Sequence, residues 1–187
     1  MKNIFLSLFV FSLIFSQFYT AESKPKWKPT AAQLEAAPFA RQGKDILLYM
    51  DSENRIPRAE IHFERAFSID PSSAIYFGDL YRVFEKDLPK TITWYHKAST
   101  HRIKNSESRL GGAMIRYGEF LKNSEPSVRT RNIYASAWIM AGTKLLDNDK
   151  SESQTVAKKL TAEEYFVALD IVDKINRNPM SILQIYD

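Results

Sequence analysis

The chain contains an internal repeat, and this feature limits the folds it can adopt. The segment "RIPRAEIHFERAF", which begins at Arg55, aligns without a gap with "DLPKTITWYHKAS", which begins at Asp87. A repeat of about this length is typical of stacked helical hairpins, because a single hairpin cannot cover its own apolar face. We therefore predict an all-α fold, an α-solenoid of about three helix-turn-helix repeats with a C-terminal capping helix. The matched pairs, each 32 positions apart, are Ile56 and Leu88, Pro57 and Pro89, Arg58 and Lys90, Phe63 and Tyr95, Arg65 and Lys97, and Ala66 and Ala98.

Apolar residues at helical spacing locate the predicted helices. Pro38 and Gly43 interrupt the first pattern, so it predicts a short helix near Ala31–Ala37 and a longer one near Phe39–Met50. The hairpins are expected near 39–70, 72–100 and 106–146. A capping box that begins at Thr161 predicts the capping helix over 161–177, which closes a repeat domain of 39–178 before a tail of 179–187. The positions predicted to be buried are Leu34, Ala37, Ile46, Leu47, Tyr49, Ala59, Phe63, Ala66, Phe77, Leu80, Tyr81, Phe84, Ile92, Tyr95, Ala98, Leu110, Ala113, Met114, Tyr117, Leu121, Ala135, Ile139, Gly142, Leu169, Val172 and Ile175.

The first 23 residues have the three parts of a secretory signal peptide. Lys2 is followed by an apolar run from Ile4 to Phe15 and by a small-residue site that ends at Ser23. An uncleaved membrane anchor is the alternative, but the run is shorter than the roughly 20 residues that span a bilayer. We expect cleavage near Ser23, a basic leader with a short helix over 24–38, and no stable membrane insertion of the mature chain.

The composition is that of a folded exported protein. The sequence is 44% hydrophobic and 26% charged, and its formal net charge is +4. It has no cysteine, which excludes a lipoprotein anchor and thiol catalysis, and which favours the bacterial periplasm over a disulfide-rich secreted class. Because the basic residues are scattered, we do not expect nucleic acid as a partner.

Two stretches resemble a known repeat family. The segment "ERAFSIDPSSAIYFGDLY" resembles the junction between two tetratricopeptide repeats, and "FGDLYRVFEKDLPKTITWYHKAS" is closer to the Sel-one-like branch. This resemblance implies a right-handed solenoid that binds a partner protein on its concave face. The matching residues are Gly78, Tyr81, Trp94, Tyr95 and Ala98 in the second repeat, and Leu110, Gly111, Tyr117, Gly118, Ala137, Trp138 and Ala141 in the third.

The chain departs from the family pattern at three places. Thr91 replaces the usual alanine at the start of the second helix of its hairpin. Ile46 occupies the position of the family glycine in the first repeat. The third repeat is also longer, since Trp138 lies 44 positions after Trp94. These departures leave the repeat boundaries less well defined than the fold class.

No residue pattern predicts an enzyme, a cofactor or a metal site. His62, His96 and His101 lack the spacing of a helical ligand pair, and we expect all three to be exposed. The sequence contains neither a nucleophile elbow nor a phosphate-binding glycine loop. Gly111 and Gly112 are expected to allow close helix packing, and the acidic pair after Thr161 is expected to cap a helix.

The predicted function is partner binding on the first helix of each hairpin. Mixed tyrosine, arginine and carboxylate side chains are typical of recognition surfaces and also of any solvated helix face. The predicted function is an adaptor or regulator, with a periplasmic immunity protein that occludes a secreted effector such as a lipase as the main alternative. Cell-wall or glycan binding is a further alternative. The predicted partner-binding residues are Tyr76, Asp79, Arg82, Arg116 and Glu119.

Overall fold

The computed structural model describes residues 28–124, 128–146 and 151–183. The chain divides into two units, residues 1–30 and 31–187. The predicted signal peptide and most of the basic leader lie outside the described residues. Within the described ranges every regular element is a helix, which confirms the all-α prediction. None of the helices described is both long enough and apolar enough to cross a membrane.

The helices follow one another with short connections. The first two are α1 (Ala31–Tyr49) and α2 (Arg55–Ile69). The next pair is α3 (Ser73–Leu80), which continues as a π-helix over Tyr81–Glu85, and α4 (Leu88–Thr100). The remaining helices are α5 (Ser106–Ser124), α6 (Arg129–Leu146), α7 (Ser151–Ala157), α8 (Ala162–Arg177) and α9 (Met180–Leu183).

Helices that are adjacent in sequence are also the main packing partners in space. Helix α1 packs on α2, α3 packs on α4, and α5 packs on α6. Helix α4 also packs on α5, while α6 contacts both α7 and α8. Contacts between α1 and α3 further connect the first helices of the first two pairs. Most helix contacts therefore join helices that follow one another along the chain.

Helix α4 contributes to two separate hydrophobic cores. Trp94 lies in the core formed with α1, α2 and α3, whereas Ile92 and Tyr95 lie in the core formed with the later helices. The N-cap of α4 is Asp87, whose carboxylate accepts a hydrogen bond of 2.8 Å from the backbone N–H of Lys90. Because both faces of this capped helix are buried, α4 joins the two cores.

The first core is built around aromatic rings. Trp94 is fully buried, and its ring centroid lies 5.0 Å from that of Phe77 and 6.1 Å from that of Phe63. Its Nε1 donates a hydrogen bond of 3.3 Å to Glu60. In the second core the fully buried Trp138 meets Tyr117 edge to face at 5.2 Å. Trp94 thus fills space between the first two pairs, whereas Trp138 packs against Tyr117 within its own pair.

Glycines bring α5 and α6 into backbone contact. A Cβ placed on Gly142 would lie 2.5 Å from the carbonyl oxygen of Gly111, and one on Gly111 would lie 2.7 Å from that of Gly142. A Cβ on Gly118 would lie 2.6 Å from the carbonyl oxygen of Ala135. The close packing predicted for Gly111 is therefore confirmed. Gly112, its neighbour, has nothing within 4 Å of an added Cβ, so its predicted packing role is wrong.

The predicted break in the first helical pattern is also wrong. Helix α1 runs from Ala31 to Tyr49 through Pro38, and Gly43 is buried inside it. A proline removes one backbone hydrogen bond, but burial of Ala36 and Leu47 on either side keeps the helix continuous. Gly43 interrupts nothing, because it is where the ring of Phe63 approaches the α1 backbone.

Five of the residues predicted to be buried are instead exposed. Leu34, Ala37 and Tyr49 are exposed because the buried face of α1 carries Ala36, Gly43 and Leu47. Phe84 is 56% exposed, because the chain widens to a π-helix over Tyr81–Glu85 and the smaller rotation per residue turns Phe84 away from the core. Leu169 is 40% exposed, because the buried face of α8 is centred on Ala168 and Ile171.

The C-terminal part contains helices that the sequence patterns do not predict. Helix α7 begins in a polar stretch, and α9 lies in the segment expected to be a tail. In α9 both Ile182 and Leu183 are buried. By contrast, the predicted capping box of α8 is present, with Thr161 and Glu164 each bonded to the other's backbone N–H. Short helices with few apolar residues give a weak periodic signal, which explains the omission.

Candidate functional site

The site begins with a glycine that allows a tyrosine ring to approach a helix backbone. Gly78 in α3 faces the ring of Tyr95 from α4, and any Cβ at this position would overlap that ring. Tyr95 is therefore only 2% exposed, and its hydroxyl donates a hydrogen bond of 2.6 Å to Oδ1 of Asp79. Burial first, and then the hydrogen bond to the Asp79 carboxylate, raise the pKa of Tyr95 above its usual value. The tyrosine thus remains a neutral donor.

The carboxylate of Asp79 accepts hydrogen bonds from Tyr95 of α4 and from Arg109 of α5. Nη1 of Arg109, in the first turn of α5, lies 2.5 and 2.6 Å from the two carboxylate oxygens. Nη2 of Arg82 lies 3.5 Å from Oδ1. The carboxylate therefore fixes the guanidinium of Arg109 beside Tyr95 and keeps Arg82 close to it.

These residues border an open cleft of about 230 Å³, which we name the arginine groove. Helix α5 forms one side, while Arg82 and Tyr95 form the other. Three guanidinium groups line the groove, and the one carboxylate that pairs with them in the described part of the chain, that of Asp79, contacts only two, Arg82 and Arg109, so the groove has an excess of positive charge. The lining residues are Arg82, Tyr95, Ser108, Arg109, Gly112, Ala113 and Arg116.

Arg116 and Gly112 give the groove its free charge and its open floor. Arg116 is exposed and makes no ion pair within the part of the chain that the structure describes. Gly112 lies one turn before it in α5, in the middle of a helix, with open space where a side chain would be. A ligand that enters the groove would therefore contact the guanidinium of Arg116, which is unpaired in the described ranges, and the helix backbone at Gly112, which no side chain covers.

Two of the five predicted partner-binding residues, Arg82 and Arg116, line the groove. Asp79 does not line it but pairs with Arg82 and Arg109, which do, whereas Tyr76 and Glu119 are not part of its lining. Tyr76 contacts the ring of Phe77, and its pKa is raised by burial and then by the charge of Asp45 on α1. Glu119 is exposed, one turn beyond Arg116.

Sequence reasoning missed the rest of the groove. Tyr95 is buried as the apolar stripe predicts, but no sequence pattern indicates that its hydroxyl contacts Asp79. Gly112 is predicted to pack closely, and Ser108 and Arg109 are not predicted as site residues. The sequence holds only a weak signal for this arrangement, since Arg116 lies 34 positions after Arg82, close to the repeat length.

A second cleft adjoins the groove at Ser108. It has a volume of about 530 Å³ and lies along the loop between α4 and α5, with Arg102 and Lys104 opposed by Glu107. Arg102 has a positive φ of 54°, so this loop makes a tight left-handed turn there. The two clefts together extend the positive surface along the N-terminal end of α5.

A third cleft of about 380 Å³ lies between the start of α4 and the end of α5. Lys86 and Pro89 line one side, and Tyr117, Phe120 and Arg131 line the other. The rings of Tyr117 and Phe120 stack at 6.5 Å. This cleft combines aromatic surface with cations but does not connect to the predicted residues.

Two of the three histidines are more buried than predicted. His62 and His96 are half-buried, and burial lowers the pKa of His96 below its usual value, whereas His101 is exposed as expected. His101 packs edge to face on Phe67 at 5.0 Å. Within residues 28–124, 128–146 and 151–183 no group of three or more His, Cys, Asp or Glu side chains could hold a metal ion.

Comparisons with protein-family models, curated proteins and solved structures found no match to this chain.

Proposed function

We propose that the protein is an exported interaction module that binds a partner protein in the arginine groove. Its helical pairs form a right-handed array of Sel-one-like repeats, and the groove lies between the first helices of successive repeats. The chain acts as an adaptor or regulator rather than as a catalyst. The observation that carries the proposal is an open cleft lined by three guanidinium groups, of which Asp79 pairs with only two.

A recurring contact supports the repeat array. In the first pair Gly43 of α1 faces the ring of Phe63 in α2, and in the second pair Gly78 of α3 faces the ring of Tyr95 in α4. The two rings are the residues matched 32 positions apart in the sequence. The first repeat therefore has its glycine at Gly43, one turn before the expected position at Ile46. Backbone-to-ring contact is thus preserved although the sequence register shifts.

The location of the groove supports partner binding. The resemblance to Sel-one-like repeats implies a concave recognition surface built from the first helix of each repeat. Arg82 follows α3, and Arg116 belongs to α5, so the cationic residues come from these first helices. Arginine is enriched in protein interfaces, because its planar fork binds carboxylates with two hydrogen bonds and stacks on flat groups.

A capture experiment tests the proposal. The tagged chain from Lys24 to Asp187 is used as bait on the envelope and secreted fractions of its own cells. The double variant Arg82→Glu with Arg116→Glu is expected to lose the main partner at least tenfold, because both substitutions put like charge opposite the partner's acids. Its melting temperature should stay close to the parent's, since both side chains are partly or fully exposed.

The matched control reverses two charges elsewhere. Arg58 and Lys158 are exposed and line none of the clefts described, so Arg58→Glu with Lys158→Glu makes the same change in net charge. Capture should survive in this control. Equal capture by the parent and by Arg82→Glu with Arg116→Glu would contradict the proposal. Equal loss of the partner in this double variant and in the control would show that capture depends on net charge and not on the groove.

The identity of the captured protein decides between the roles. One secreted effector bound at equal stoichiometry would make the protein an immunity protein that occludes its target. A group of envelope proteins would make it an adaptor. Retention on purified cell wall after washing in salt, with no protein partner, would contradict the proposal and favour glycan binding.

A further inference from the structure

We infer that the ligand of the arginine groove is an acidic segment of the partner, with one Asp or Glu side chain seated over Gly112 beside Arg116. This inference rests on the proposed function and specifies the chemistry of the partner. Charge, helix packing and the adjoining cleft support it.

The charges in the groove are unbalanced in a way that a carboxylate would correct. Asp79 gives both of its oxygens to Arg109 and also faces Arg82 at 3.5 Å. Arg116 lines the same cleft without an ion pair in the described ranges. An incoming carboxylate can accept hydrogen bonds from Arg116 and Arg82, and hydrogen bonds between ionised groups are the stronger class.

Gly112 leaves an open position in which such a side chain can bind. A glycine inside a helix is less favourable than an alanine. The other glycines of α5 compensate through contact, because Gly111 and Gly118 meet backbone oxygens of α6. Gly112 has no such contact, and its open space forms the floor of the groove. The space is therefore available to a group from outside.

The adjoining cleft extends the site for a segment rather than a single ion. It shares Ser108 with the groove and adds the exposed cations Arg102 and Lys104, against the single acid Glu107. A peptide that places one carboxylate over Gly112 can therefore place a second acid along the start of α5. Acids spaced along an extended segment fit this arrangement better than one isolated anion.

Fluorescence anisotropy with a labelled octaglutamate peptide tests the inference. The peptide is capped at both ends, so only side-chain carboxylates can bind. We expect saturable binding to the mature chain that weakens as salt is added. Arg116→Glu should weaken this binding at least tenfold, while the control Arg58→Glu with Lys158→Glu should stay within about twofold of the parent.

An uncharged variant distinguishes binding at a defined position over Gly112 from non-specific electrostatic attraction. Gly112→Leu adds a side chain into the open space without changing any charge, and leucine is a good helix former, so the chain should fold. It should nonetheless weaken octaglutamate binding about as much as Arg116→Glu does. Parent-like binding by Gly112→Leu, with its fold verified by circular dichroism, would overturn the seat over Gly112.

Two further probes identify other anions. If vesicles of phosphatidylglycerol bind through Arg82 and Arg116 while octaglutamate does not, the site recognises a lipid surface and the inference is wrong. Saturable binding of inorganic phosphate without octaglutamate binding would overturn it equally. If Arg82→Glu with Arg116→Glu loses the partner but the parent does not bind octaglutamate, the acidic ligand is refuted and the proposed function stands. If the parent binds octaglutamate but this double variant still captures the partner as the parent does, the proposed function is refuted instead.

Discussion

Trp94→Ala is expected to lower the free energy of unfolding by about 3–5 kcal/mol. The side chain is fully buried among Phe63, Phe67 and Phe77, with ring centroids 5.0 to 6.1 Å away. Its removal leaves a cavity at the junction of three helices and deprives Glu60 of a hydrogen bond. Because α4 joins both cores, the loss should reach the whole helical unit and not only the first two pairs.

Urea denaturation monitored by circular dichroism measures this effect. Phe166→Ala is the matched control, because this ring is 71% exposed on α8 and should change the free energy of unfolding by less than about 1 kcal/mol. If Trp94→Ala unfolds at the same urea concentration as the parent, the tryptophan does not hold the first core together and the packing described for α4 is wrong.

Gly142→Ala is expected to destabilise the protein by about 1–3 kcal/mol or more. The added methyl group would lie 2.5 Å from the carbonyl oxygen of Gly111, and no flexible side chain can move to make room. Helices α5 and α6 would have to separate along their contact. In contrast, Gly112→Ala should stabilise by about 0.5–1 kcal/mol, because alanine is the better helix former and the position is open.

The two alanine variants are compared in one series of urea titrations with the parent. The opposite signs are informative, since the substitutions are chemically the same and both lie within helices. Destabilisation by Gly112→Ala would show that this position is already filled, which would remove the open floor of the groove. A neutral Gly142→Ala would mean that α5 and α6 are not in backbone contact.

Much of the helical packing could be predicted from residue spacing. The stripe from Leu110 to Leu121 in α5 is buried as predicted, and so are Ala59, Phe63 and Ala66 in α2. These patterns succeed because a helix that packs on one face must place an apolar residue there at each turn. The capping box at Thr161 succeeds for a similar reason, since its hydrogen bonds depend only on local sequence.

Other features depended on contacts that spacing does not encode. Pro38 and Gly43 lie inside α1 because tertiary packing overrides their low helix propensity. Phe84 is exposed because the chain widens to a π-helix before the left-handed Lys86, which no periodic pattern indicates. In each case the deciding interaction comes from a different part of the chain or from the backbone itself.

The candidate site was predictable only in part. Asp79, Arg82 and Arg116 are predicted because they lie on the polar faces of first helices. The contact between Tyr95 and Asp79 is not predicted, because it depends on Gly78, where any side chain would overlap the Tyr95 ring. The sequence contains both residues but does not show that they meet.

Site-specific photocrosslinking tests the central claim most directly. A photoreactive benzoylphenylalanine replaces Ser108, which is exposed and lines both the groove and the adjoining cleft, and a control chain carries it in place of Arg58. After irradiation in the envelope fraction, mass spectrometry identifies the crosslinked peptides. We predict one main partner attached at position 108 through a peptide rich in Asp and Glu, and little attached at position 58. A partner that crosslinks from position 58 and not from position 108 would contradict binding in the arginine groove.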